Sequence, residues 1–291
     1  MTPREPRPPG GELILTLSCP DRAGIVAAVA GLIAERGGNI VDSHQFGDPD
    51  ASAFFMRIHF TVEASSDADA WRAAIDPLAQ ELRMDWELHD VAERARILVL
   101  VSREGHCLND LLYRWRTGAI AGDIVGVASP YDDFSDLAAA YALPHHRLPG
   151  PGAATDELDA AVLRLVTDAD ADLVVLARFM QILGAEACRA LAGRAINIHH
   201  SFLPSFKGGR PYRQAHERGV KLIGATAHYV SEDLDEGPII EQEVARVDHA
   251  PNVAELARVG RDVECVALAR AVRWHVERRV LVHGRRTVVF R

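Results

Sequence analysis

Two hydrophobic periods succeed each other along this chain. In the first ninety residues, Leu13–Leu17 is apolar and strand-like, and Cys19–Gly24 is a turn. A helix is predicted from Ile25 to about Arg36, because apolar residues at 25, 26, 29, 32 and 33 form one stripe. Gly37, Gly38 and Asn39 end it. Ile40–Phe46 and Ala53–Val62 read as a strand pair about the turn signal Gly47–Asp50. A helix over Asp67–Leu82 and a strand over Met84–His89 complete the order β-α-β-β-α-β, a ferredoxin-like arrangement.

The pattern changes after a short charged linker, residues 91–96. Ile97–Val101 is a continuous apolar run, as a strand buried on both faces requires. Helix Leu108–Thr117, strand Ile124–Ala128, and helices Phe134–Ala142 and Thr155–Ala169 follow. Then come strand Leu173–Ala177, helix Gly184–Ala192 and strand Ala195–Ile198. Ala225–Val230 and Ile239–Val244 read as strands, Pro251–Arg279 as one long helix, and Val280–His283 with Thr287–Phe290 as a hairpin about Gly284. The alternation predicts an α/β chain with a doubly wound, mostly parallel sheet. The domains expected are a tail over 1–11, a first domain over 12–90, the linker, and a second domain over 97–291.

Composition narrows the class. Hydrophobic residues make up 48% of the 291, enough for real cores, and the net charge of −9 disfavours nucleic acid and anionic membranes as partners. No apolar run approaches the ~20 residues that span a bilayer. The Pro- and Arg-rich start lacks the apolar stretch of a secretory signal. Cys19, Cys107, Cys188 and Cys265 are widely spaced, which argues against a disulfide framework or zinc knuckle and suits a reducing cytoplasm.

The candidate chemistry sits at a strand end. Period-2 alternation puts Asn197 and His199 on one face and His200 on the other. Leu234–Pro238 then delivers Asp235. An Asn amide can donate to a developing oxyanion, a His can move protons near neutral pH, and an Asp can orient that His or take a proton from water. Such residues also cap helices and build turns, so their order carries the reading rather than any one of them. The histidines 199, 200, 216 and 228 lack helical ligand spacing, so no metal is expected.

Residues 196–204 and 234–238 together resemble the signature of the folate-dependent formyltransferase/hydrolase family, Asn-x-His-x-Ser-x-Leu-Pro followed by Leu-Asp-x-Gly-Pro. The stretches 209–211 and 224–229 are similar to its hydrolase members, and the resemblance runs from about residue 10 to 291. It implies hydrolysis of the formyl C–N bond of 10-formyltetrahydrofolate to formate and tetrahydrofolate, without a separate cofactor. That reaction would supply formate for purine biosynthesis and balance the one-carbon folate pool. Asn197, His199 and Asp235 would be catalytic. The loop Arg178, Phe179, Met180, Gln181, Ile182 and Leu183 would hold the pterin, with His228 and Gly237 shaping the site. Gly105, His106 and Cys107 would belong to a loop closing it. A nucleophilic Cys107 is not needed, since water can be activated directly.

Transferase relatives carry a phosphate-cradling Gly/Ser-rich loop where this chain has Ser102–Asn109, with one Gly and the acidic Glu104. One departure from the hydrolase pattern is Ser129-Pro130-Tyr131, where an Asn-His pair is usual after the Ser. The first domain resembles an ACT domain, which implies pairing into a homodimer or homotetramer. It also implies an amino-acid effector, glycine or methionine, near Asp21, Arg22, Gly24 and Asn39. Two alternatives stand beside the hydrolase: a formyltransferase to an amine such as glycinamide ribonucleotide, and a non-catalytic amino-acid- and folate-sensing regulator.

Overall fold

The computed structural model describes residues 10–63, 68–204 and 211–291. The tail before Gly10, the first residue of the helix expected from Asp67, and the 205–210 part of the resemblance lie outside them. The chain forms two compact units: residues up to Arg94 with Arg278–Leu281 and Val288–Arg291, and Ala95–Glu277 with Val282–Thr287.

The first unit is a four-stranded antiparallel sheet with two helices. Strands β1 (Gly10–Pro20), β2 (Asn39–Asp48), β3 (Ala53–Glu63) and β4 (Asp85–Asp90) lie in the order β2-β3-β1-β4. Helix α1 (Ile25–Glu35) follows β1, and α2 (Ala68–Leu82) follows β3. Alternate residues Leu13, Leu15 and Leu17 of β1 and Phe54, Met56, Ile58 and Phe60 of β3 face Ile25, Val29 and Ile33 of α1 and Trp71 and Ile75 of α2. The period of 2 in the strands meets the helical period in one core. Phe60 packs on Trp71 with ring centroids 5.0 Å apart.

On the sheet's other face, Arg57 is buried and bonds Asp42 at 3.1 Å, while the Phe290 ring stacks on His44 at 5.7 Å. The ends of the C-terminal hairpin, β12 (Val280–His283) and β13 (Arg286–Val289), thus contribute to this unit. The sequence pattern had placed the whole hairpin in the second domain; short amphipathic strands do not reveal which face they cover.

The second unit is built on seven strands: β5 (Ala95–Leu100), β6 (Gly122–Ser129), β7 (His145–Arg147), β8 (Leu173–Leu176), β9 (Ala195–His199), β10 (Leu222–Tyr229) and β11 (Ile239–Arg246). Their order is β11-β10-β9-β8-β5-β6-β7. Strands β5 to β9 are parallel, β10 runs antiparallel beside β9, and β11, antiparallel to β10, again runs in the direction of β5 to β9. Helices α3 (His106–Arg116), α4 (Ser135–Ala140), α5 (Thr155–Asp168), α6 (Ala185–Ala190), α7 (Pro211–Glu217) and α8 (Val253–Val276) connect or flank them. Leu98, Leu100, Val174 and Leu176 turn to α5 and α6, packing on Leu158, Val162 and Leu191.

Chain direction across the sheet reverses between β5 and β8, so their carboxyl ends open a crevice of the kind that holds ligands in such sheets. Two elements escaped the sequence pattern. β7 has three residues and α7 has seven, too few for either period to show. The linker is also shorter than expected, because β5 begins at Ala95.

Candidate active site

Asn197 and His199 end β9 beside that crevice. β10 pairs antiparallel with β9 and sets His228 opposite Asn197 and Thr226 opposite His199. His228 Nδ1 lies 2.8 Å from the Tyr229 carbonyl oxygen, so Nδ1 carries the hydrogen and Nε2 accepts. Asn197 Nδ2 donates to that Nε2 at 3.2 Å. Burial lowers the His228 pKa by more than the Tyr229 carbonyl and Asp235 raise it, which keeps the ring neutral and the acceptor lone pair available. One hydrogen of the Asn197 amide is thereby used, and the other remains for a ligand.

Asp235 arrives on the turn between β10 and β11 with φ +58°, a left-handed conformation uncommon for a residue with a Cβ. Its Oδ2 lies 3.2 Å from His199 Nδ1 and its Oδ1 lies 3.8 Å from His228 Nε2. Burial raises the Asp235 pKa, but the His199 hydrogen bond and the nearby imidazoles outweigh it, and the carboxyl sits below its usual value. His199 is buried, and its Nε2 has no hydrogen-bond partner among the described residues. Asp235 therefore holds one ring nitrogen of His199 while the other is left unpaired, as in a triad's orienting pair.

Gly237 is required for this turn. A Cβ there would run into the Tyr229 carbonyl oxygen, and Tyr229 N in turn donates to Pro238 O at 2.9 Å. His200 points away from Asn197, toward Tyr212 and a small cleft with Phe202 and Ile223. Burial, with Arg178 and His199 nearby, lowers its pKa to about 4.

The 178–183 loop leaves β8 at the reversal point and is fastened at both ends. Arg178 O accepts from Ser102 N, and Ser102 Oγ accepts from Met180 N at 3.0 Å. Buried Asp159 accepts from Gly184 N and Ala187 N at 2.8 and 3.2 Å, capping α6. Gln181 Nε2 donates to Pro149 O at 3.1 Å. Met180 and Ile182 stay 60% and 62% exposed on this fixed loop, an apolar platform without a partner among the described residues. Phe179 and Leu183 correct the expectation, because their side chains are buried in the core with Leu158 and Val162. Only alternate residues of the loop face outward.

Gly105, His106 and Cys107 do not form a free loop. His106 opens α3, and the Cys107 side chain is buried. Hydrogen bonding to Cys265 and burial push the Cys107 thiol well above its usual pKa, which favours the thiol over the nucleophilic thiolate. Glu264, missed in the sequence, gathers this region: it is 1% exposed and accepts from His106 Nε2 at 2.8 Å and Tyr212 Oη at 2.5 Å, with Arg178 Nε at 3.4 Å. Burial raises its pKa, but these donors and the Arg178 charge hold it below the usual carboxylate value. Donor atoms of His106, Cys107 and Glu264 lie within 4.8 Å of one another, a grouping that sequence spacing did not reveal, though the Glu264 carboxylate already has three partners. A signal for Glu264 existed: it sits on the buried stripe Leu256, Gly260, Val263, Ala267 of α8, where a carboxylate needs partners. Tyr131, in the departing segment, stacks under the Arg103 guanidinium at 3.9 Å.

Asp21, Arg22 and Gly24 lie together at the turn from β1 to α1, with Gly24 at φ +97°, while Asn39 starts β2. Arg22 pairs with Glu81 at 2.8 Å.

Comparison with known proteins agrees with both units. The formyl transferase family matches residues 95–272 and the ACT domain family residues 13–70. A formyltetrahydrofolate deformylase of Corynebacterium sp. (strain P-1) is 46% identical over 96% of this chain and 98% of its own. The crystal structure of formyltetrahydrofolate deformylase from Burkholderia mallei superposes with a TM-score of 0.91 at 50% identity, covering 97% of this chain and 100% of that one. Glycinamide ribonucleotide transformylase 1 from Symbiobacterium toebii is more distant, with a TM-score of 0.65, 32% identity and coverage of 70% of this chain and 98% of its own. Coverage of both units, with the Asn197, His199 and Asp235 constellation in place, makes this chain a member of the formyltetrahydrofolate deformylase family.

Proposed function

We propose that this chain hydrolyses 10-formyltetrahydrofolate to formate and tetrahydrofolate. The observation that carries the reading is the pairing of two unused groups: the second amide hydrogen of Asn197 and the unpartnered Nε2 of His199, held by His228 and Asp235. Nε2 takes a proton from water as the water oxygen attacks the formyl carbon. The Asn197 amide donates to the oxyanion that forms. Collapse breaks the C–N10 bond, and the proton on His199 passes to N10, leaving formate and tetrahydrofolate. Asp235, ionised, orients His199 and stabilises its imidazolium. The reaction needs no separate cofactor or metal.

Met180 and Ile182 offer apolar contact to the pterin, and the 178–183 backbone offers its polar edge. Likeness to the transformylases supports the alternative acceptor less well, since it covers 70% of this chain against 97% for the deformylase structure. Formate release from 10-formyltetrahydrofolate by the purified chain, with and without an amine acceptor, tests the reading. Formate without acceptor upholds it; formyl loss only with acceptor sinks it.

The first unit extends the proposal. Gly24 leads into the uncapped N-terminus of α1, which suits the carboxylate of glycine or methionine as effector. Exposed Ile40, Val41 and Phe46 on edge strand β2 favour association into a homodimer or homotetramer. Four free cysteines suit a reducing cytoplasm, and no described helix is long and apolar enough to cross a membrane. Light scattering and titration of both amino acids against turnover test these points; a monomer with no response to either contradicts them.

A further inference from the structure

The side chains that orient the centre rest on one stretch of chain. His228, which holds Asn197, is the last residue but one of β10, and Asp235, which holds His199, lies in the turn that follows. Asp235 has φ +58°, a conformation that costs energy in a residue with a Cβ and persists only where the surroundings impose it. Within the turn, Ser231 Oγ and Glu236 N both donate to Asp233 O, at 2.8 and 3.2 Å, and Tyr229 N closes it on Pro238 O at 2.9 Å. Beyond it the ladder is irregular. Ala227 stands opposite Glu241 and His228 opposite Ile239, so Ile240 is the extra residue of a β-bulge. A bulge redirects the side chains beside it, and here these include His228.

The tip of the C-terminal hairpin fastens this irregular stretch. Thr287 Oγ1 donates to Ile239 O at 2.6 Å, and Arg285 Nη2 pairs with Glu236 Oε2 at 2.7 Å. The two contacts are unequal. Arg285 and Glu236 are 75% and 36% exposed, where an ion pair contributes little. Thr287 is half-buried, and its hydroxyl meets a backbone carbonyl of the bulge itself. Ile239 is the residue opposite His228, so this one bond fixes the strand on which His228 rests and the exit of the turn that carries Asp235. The formyl transferase match ends at residue 272, before the hairpin begins.

We propose that Thr287 is a positioning residue for the hydrolysis, with Arg285 assisting it. It acts through the Ile239 carbonyl to hold His228 and Asp235 where they orient Asn197 and His199. The inference deepens the hydrolase reading and rests on it for its purpose, although the fastening itself can be tested without turnover.

Thr287→Val keeps the shape of the side chain and deletes the donor, whereas Thr287→Ser keeps the donor. In Thr287→Val, kcat for formate release is expected to fall about tenfold, with KM for the folate little changed, because a small displacement of catalytic groups costs rate rather than binding. Thr287→Ser is expected to keep most of the wild-type kcat. Hydrogen exchange of the backbone amides of residues 231–239, followed by mass spectrometry without substrate, is expected to quicken about tenfold in Thr287→Val. Should that variant not melt cooperatively, Thr287→Ala is read in the same way. Wild-type kcat or wild-type exchange in the folded variant overturns the proposal. So does a loss carried by KM, or a Thr287→Ser that loses as much as Thr287→Val. A wild type that releases no formate would sink the hydrolase reading instead, and the exchange measurement would still decide what the hairpin does.

Discussion

Asn197 Nδ2 lies 3.2 Å from His228 Nε2, and the His228 Nδ1 contact with the Tyr229 carbonyl dictates which atom of the amide faces the ring. A neutral Nε2 can only accept, so the nitrogen of Asn197 must point to it. The side chain that would stabilise an oxyanion is thus oriented by a neutral histidine rather than by chance rotation. Removing one such donor costs about 100- to 1000-fold in turnover. Asn197→Ala is expected to lose that much formate release with its melting temperature little changed, and near-normal turnover would remove the oxyanion role.

His228 acts through Asn197. His228→Phe keeps a ring and deletes the acceptor, freeing the amide to rotate. Turnover is expected to fall at least about tenfold, with KM for the folate much less affected, because the loss concerns the transition state. Equal losses in KM and kcat would assign His228 to substrate binding instead.

Gly237 is a backbone requirement. Gly237→Ala forces the Tyr229 carbonyl and the Asp235 turn apart. Overpacking of this kind costs about 1–3 kcal/mol, and Asp235 would move from His199. The expected result is a lower melting temperature together with lost turnover. A variant with wild-type values for both contradicts the geometry.

Glu264 predicts an acid dependence. Its folded pKa is lowered, so the stability it contributes is complete above its unfolded value of about 4.5 and fades as pH falls through the lower folded value. Glu264→Gln is expected to flatten that limb of an acid-unfolding curve. Breaking the buried network by Glu264→Ala leaves Arg178 and His106 only their long contacts to Glu104, at 3.8 Å each, and is expected to cost about 3–5 kcal/mol in denaturant unfolding. A loss below about 1 kcal/mol would show that the network carries little.

His200 gives a spectroscopic check. With its pKa lowered to about 4, its imidazole is expected to stay neutral through pH 5 in an NMR titration. Protonation near the ordinary value of about 6.5 would mean that its surroundings are far more open.

Much of this was legible in the chain. The β-α-β-β-α-β order could be read because Leu13, Leu15 and Leu17 alternate while Ile25, Val29 and Ile33 recur at helical spacing. Asn197 and His199 could be placed because a strand's period fixes the face of residues two apart. What escaped depends on distance in sequence. Nothing local shows that Glu264 meets His106, 158 residues earlier, or that the chain's last residues lie on the sheet of the first unit. Phe179 and Leu183 look like their neighbours Met180 and Ile182, and only packing against α5 and α6 separates core from surface.

The account turns on water as the acceptor at the Asn197–His199–Asp235 centre. Incubating the chain with 10-formyltetrahydrofolate in ¹⁸O-enriched water, with no amine present, tests it directly. Formate carrying one oxygen from the solvent is predicted, and its release should collapse in Asn197→Ala. No labelled formate from a folded, folate-binding wild type would contradict it.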